Sequence, residues 1–240
     1  MNEEIQRHYL ETSIYTYAGA YKDFLLSLPD EIPSIGRWVC DQITHPSMYF
    51  TEPSPYLEGS YFGKFASYPK RRFKNEDELY ITAVSMLAGI LYLNGGDEGR
   101  KDVTKRITVS CRQASVLFSA ILKAKGIPCR SRAGLGLRRH TLDKKLDVFT
   151  PDLLQGVCEY LFMDFHALMN NEIFYSYQPL YLRDGIQFLG EPELRELDEL
   201  AELLREPDEN RERIKEMWEH NEKLSVLTNN TQNIYEDVFR

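Results

Sequence analysis

The chain has 240 residues, 42% of them hydrophobic, with a net charge of −8. That is enough apolar content for a large folded domain and too little basic surface for a nucleic-acid binder. No apolar run approaches the ~18 residues that span a bilayer, so neither nucleic acid nor a membrane is an expected partner.

The acidic N-terminus, MNEEIQRHYLETS, is unlike a secretory signal. Cys40, Cys111, Cys129 and Cys158 lie far apart without a CxxC pair, which favours free thiols in a reducing compartment, and the chain is expected to be cytoplasmic. No His, Cys or carboxylate set has metal-ligand spacing and no Gly-rich loop suggests a nucleotide, so no metal and no cofactor is expected.

In chain order, the pattern predicts one helix from about 5 to 28, closed by Pro29, and another over 35–43, stopped before Pro46. Residues 46–73, rich in Pro, Gly, Ser and Tyr, read as a long loop. A helix over 76–93 ends at Asn94-Gly95-Gly96, and a short apolar strand then precedes Cys111.

From Ser110 the helical signals are dense. Ser110 and Gln113 have the spacing of a capping box, and Ala114, Leu117, Ile121 and Ala124 recur at helical period. Gly126 supplies a left-handed end and Pro128 prevents continuation. Cys111 falls in the first turn, where the positive end of the helix dipole and the adjacent Arg112 favour the thiolate. A small buried residue under the helix start is the plainer alternative. Strands are expected at 130–137, 155–163 and 173–182, with a polar loop at 138–152. The last fifty residues read as charged amphipathic helices. Between Glu191 and Lys223 there are thirteen acidic and six basic residues, a net of −7, so the remainder is close to neutral.

The series Cys111, Arg112, Leu117, Phe118, Leu122, Gly126, Ile127, Pro128, Arg130, Arg132 and Gly134, with KRITVSCR before it and VCEY at 157–160 after it, resembles the core of the bacterial transglutaminase-like superfamily. The resemblance covers roughly residues 100–180. It implies an α+β fold with a transglutaminase-like or papain-like core, in which the Cys-bearing helix packs on a small antiparallel sheet with helical additions at both ends. The length is that of a single domain over 1–240. Its helical N-terminal part is 1–95, its core 100–190, and its charged helices 191–228.

The resemblance also implies a cysteine nucleophile, a histidine on the second strand and an aspartate on the third. Cys111 matches the nucleophile. Gln155 stands at the histidine position and Ser176 at the aspartate position. Gln155 can donate a hydrogen bond but cannot accept the thiol proton. Among the histidines, His140 in the loop after the first expected strand is the candidate substitute base, with Asp143 or Asp147 to orient it. His166, with Asp164 nearby, is placed at the far end of the sheet and discounted, and His8 and His45 have no assigned place. These substitutions point to a degenerate or altered Cys-centred site that binds a peptide or protein without classical triad turnover. The alternative is an active thiol acyl-transfer enzyme, an amide hydrolase, protease or transamidase. A third reading makes the acidic C-terminal helices an assembly surface.

Overall fold

The computed structural model describes residues 3–45, 70–99, 101–133, 151–174, 179–183 and 188–224. Two compact units, Met1–Arg130 and Ser131–Arg240, share the chain. The division falls inside the 100–190 segment that the resemblance treats as one core.

In the first unit the expected 5–28 helix is broken. Helix α1 covers Glu3–Leu10, a 3-10 turn covers Gly19–Tyr21, and α2 covers Lys22–Ser27. The break is built from side chains: Ser13 Oγ accepts the N–H groups of Tyr15 and Thr16, and Thr16 Oγ1 accepts that of Ser13. Short hydroxyl side chains of this kind compete with the helix for backbone donors. Helix α3 (Ile32–Gln42) runs into strand β1 (Ile43–Thr44).

Helices α4 (Lys70–Leu79) and α5 (Ala83–Asn94) replace the single helix expected at 76–93. Thr82 starts α5 through a full capping box with Ser85, which fixes the break, and Gly95 ends it with a left-handed φ of 76°. Because α4 begins at Lys70, residues 70–73 are helical and the end of the expected 46–73 loop is corrected; residues 46–69 lie outside the described ones.

Strand β2 (Ile107–Thr108) leads into α6 (Cys111–Ala124). Gly126, at φ 76°, closes α6 as foreseen. The N–H groups of Gly126 and Ile127 return to the carbonyls of Lys123 and Leu122, at 3.0 and 2.9 Å, the pattern of a Schellman end. The core clusters Leu25, Ile35, Trp38, Met86, Leu87, Ile90, Ile107, Leu117 and Ile121, so α2, α3, α5, β2 and α6 enclose one apolar volume.

The expected antiparallel sheet is corrected. β1 and β2 pair in parallel, Ile43 against Ile107 and Thr44 against Thr108, and they are the only strands among the described residues. Parallel pairing follows from the connection, since α4 and α5 carry the chain back before β2 begins.

In the second unit the expected strand at 155–163 is also corrected. Pro151–Leu168 is one 18-residue helix, α7. The VCEY segment is rich in strand-forming types, but Cys158, Phe162 and Phe165 are buried at spacings of four and three, the period of a helix. Residues 130–133 and 173–174 are not strand, and Leu180–Arg183 is a short helix, α8, where the third strand was expected. Helices α9 (Glu191–Leu203) and α10 (Arg211–His220), with a 3-10 turn at Glu222–Leu224, bear out the helical reading of the C-terminal segment. Leu197, Leu200, Leu204, Ile214 and Met217 are buried there. Asp164 is clamped by Arg132, Nε and Nη2 each 2.7 Å from a carboxylate oxygen, and Arg132 Nη2 also donates to the Leu204 carbonyl at 2.9 Å. No described helix is long and apolar enough to cross a membrane.

Trp38 Nε1 donates to the Gly96 carbonyl at 3.0 Å, and Gln42 Nε2 to that of Asp97 at 3.0 Å, tying α3 to the turn after α5. Gly96 has φ 74°, and a Cβ there would lie 2.5 Å from the Phe24 ring and 3.0 Å from Leu91. Gly96→Ala is expected to lower stability by about 1–3 kcal/mol through backbone strain and overpacking, read as a reduced urea midpoint.

Candidate functional site around Cys111

The start of α6 is held by two consecutive carboxylates of α4. Glu76, 6% exposed, accepts the N–H of Thr108 at 2.7 Å. Asp77 accepts the N–H of Ser110 at 2.7 Å through Oδ1. The N–H of Val109, between them, goes the other way to the Thr44 carbonyl at 3.0 Å. β2 therefore has a real strand on one edge and a pair of side chains on the other.

Arg72 secures this arrangement. Its guanidinium binds Glu76 through Nε and Nη2 and donates to the carbonyls of Thr104 and Arg106, the latter at 2.7 Å. A buried carboxylate paired by a fork of donors is costly to disrupt from one side only.

The capping box expected of Ser110 and Gln113 does not form. Ser110 is the N-cap, but its side chain makes no cap hydrogen bond. Its hydroxyl donates to Gln113 Oε1, and the fully buried Gln113 donates through Nε2 to the Asp77 carbonyl at 2.7 Å and to Asp77 Oδ1 at 2.9 Å. Asp77 outcompetes the internal box because its charge makes a stronger acceptor than a neutral amide.

Cys111 is exposed at the first position of α6. Arg112 does not serve it in the expected way. Its side chain is buried, donates through Nη1 to the Ile81 carbonyl at 2.9 Å, and lies 4.7 Å from the centre of the Tyr15 ring.

His45, which had no assigned place, is found at this end of β1. It directly follows Thr44, whose carbonyl accepts the Val109 N–H at 3.0 Å. Ser110, the N-cap of α6, is extended, at φ −77° and ψ 173°. Half-buried His45 has its pKa lowered by desolvation, against which the nearby Asp77 carboxylate pulls it back up. A neutral imidazole beside a carboxylate is the form of a general base.

His140 and Ser176 lie outside the described residues, as do Asp143 and Asp147. Gln155 is on α7, a helix, so its correspondence to a strand-borne histidine rests on sequence alone. Asp164 is engaged by Arg132, and His166 bonds to Leu224 and Asn171 instead of a thiol. His8 lies 3.7 Å from Glu11 at the end of α1.

Cys158 is the opposite kind of thiol. Burial pushes its pKa up to about 11, with Asp198 and Glu159 adding to the effect. Among the described residues no group of three or more His, Cys, Asp or Glu could hold a metal.

Comparison with known families, with characterised proteins and with solved structures finds no match to this chain.

Glu76→Ala removes the acceptor of the Thr108 N–H and the partner of Arg72. It is expected to cost about 3 kcal/mol in urea unfolding. Arg72→Ala should cost a similar amount, and the double variant clearly less than the sum, because the two share one network.

Proposed function

We propose that the first unit carries a thiol acyl-transfer site in which Cys111 is the nucleophile, His45 the base and Asp77 the orienting acid, acting on an amide of a peptide or protein. What supports this reading is that Asp77, whose charge acts on His45, also bonds the N–H of Ser110 at the start of α6, while Thr44, next to His45, bonds the N–H of Val109. The position has a general logic as well. The carboxyl ends of parallel strands, where a helix N-terminus opens, gather donors suited to a developing oxyanion.

His45 takes the thiol proton as Sγ attacks the substrate carbonyl carbon. The tetrahedral intermediate places its negative oxygen toward the first-turn N–H groups of α6. Collapse breaks the C–N bond, and His45 returns the proton to the leaving amine, giving a thioester on Cys111. Water, or a second amine, then attacks that thioester with His45 again accepting a proton. The thiol is regenerated and an acid or a new amide is released. Asp77 stabilises the imidazolium in both halves.

A binding site without turnover is the competing reading, and its premise was the loss of a base and an orienting acid near Cys111. His45 and Asp77 supply both residue types from the N-terminal part of the chain. All four cysteines are free, which suits a reducing compartment, and we place the protein in the cytoplasm on that ground.

Two measurements test the reading. At pH 7, iodoacetamide should alkylate Cys111 at least tenfold faster than Cys40, which is also exposed, and buried Cys158 slowest of all, each read by peptide mass spectrometry. His45→Gln should remove the advantage of Cys111 over Cys40. Against a panel of N-acyl aminocoumarin amides, Cys111→Ser should abolish release and His45→Gln should lower it by about 10²–10⁴-fold. Equal alkylation in wild type and His45→Gln sinks the dyad and leaves the binding reading.

A further inference from the structure

His166 in the second unit has no part in the chemistry above, yet it is fully buried with both ring nitrogens engaged. Nε2–H donates to the Leu224 carbonyl at 2.8 Å, 58 residues further along the chain. Nδ1 accepts from Asn171 Nδ2 at 3.0 Å. That pattern belongs to one neutral tautomer, with the proton on Nε2. The ring sits edge-on to Trp218 of α10, centroids 5.0 Å apart, and to Phe165, at 5.7 Å. Asn171 is itself set by the chain: Asn170 takes a left-handed φ of 52°, and the N–H of Asn171 returns to the His166 carbonyl at 2.9 Å.

We propose that His166 is an acid-sensitive clasp that holds the turn Glu222–Leu224, and the end of α10 leading into it, against the end of α7. A second proton has nowhere good to go. On Nδ1 it would face the amide hydrogens of Asn171, donor against donor, and the charge would sit among aromatic rings with no carboxylate bonded to the ring among the described residues.

The charged groups on the surrounding elements do not relieve this. Asp164 is held by Arg132, and buried Glu172 follows Asn171. Exposed His220 bonds the Glu216 carbonyl, and Lys223 reaches Glu193 at 3.4 Å while Glu222 precedes it. Among the described residues none of these bonds a His166 nitrogen.

Burial lowers the His166 pKa to about 4, the Leu224 carbonyl opposing it only in part. The neutral ring therefore favours the closed state, and the open state binds the proton more tightly. Closure is full above about pH 6.5, weakens as pH falls, and loses the whole contribution below about 4.

Hydrogen exchange on the full chain, corrected for intrinsic rates, tests this directly. Between pH 7.5 and pH 5, opening of 217–224 should increase roughly thirtyfold, while α7 and α9 keep their protection. In His166→Gln, whose amide can donate to Leu224 but does not titrate, the response should vanish. Unchanged protection of 217–224 at pH 5, the same response in His166→Gln, or loss of α7 and α9 in step would each overturn the clasp. If His166→Gln does not fold, NMR titration of the wild-type ring decides. A midpoint below pH 5 supports the clasp and one near 6.5 overturns it.

Discussion

The first unit depends on how a two-residue strand is kept in place. A parallel pair of two residues each is too short to hold itself in water. The N–H groups of β2 and its continuation alternate between partners: Thr108 and Ser110 reach the Glu76 and Asp77 carboxylates, and Val109 reaches the Thr44 carbonyl. Consecutive acidic residues on α4 thus do the work of a third strand, and the Arg72 guanidinium keeps the buried charge of Glu76 compensated. Everything at the start of α6 inherits its position from this arrangement, including where Cys111 is exposed.

The same arrangement links stability to chemistry. Asp77 is an anchor for the backbone of Ser110 and the amide of Gln113, and its carboxylate also acts on His45. A carboxylate held by hydrogen bonds to a buried amide is fixed in place by the fold itself, which is what preorganisation of a charged group requires. The second unit uses its buried polar groups differently. The Arg132–Asp164 pair joins the chain before α7 to the end of α9, and His166 joins the end of α7 to the last turn. Those groups close loops rather than open a site.

Much of the first unit was legible in the chain itself. The α6 helix, its exposed first-turn cysteine and its glycine end follow from period, capping residues and left-handed backbone. The expected strand before it is present at Ile107–Thr108. Where reading failed, competition between local and distant partners was the cause. Ser110 and Gln113 have capping-box spacing, but a charged acceptor from another helix takes their donors. VCEY has strand-like composition, but its apolar residues fall at helical intervals once Phe162 and Phe165 are counted with Cys158. His45 was unplaceable because nothing next to it in the chain marks it, and Asp77, the carboxylate that acts on it, is 32 positions away in sequence.

Sequence by itself determined the elements whose cause is local: the C-terminal amphipathic helices, the stop at Asn94-Gly95-Gly96, and the cysteine at a helix start. Tertiary structure alone decided which carboxylates hold the start of α6, that the strands run parallel, and that Arg112 turns into the core. Periodicity and capping act over a few residues and are written in them. Register and ion pairing act between segments that meet only when the chain has folded, and no spacing along the sequence encodes which carboxylate will reach which N–H.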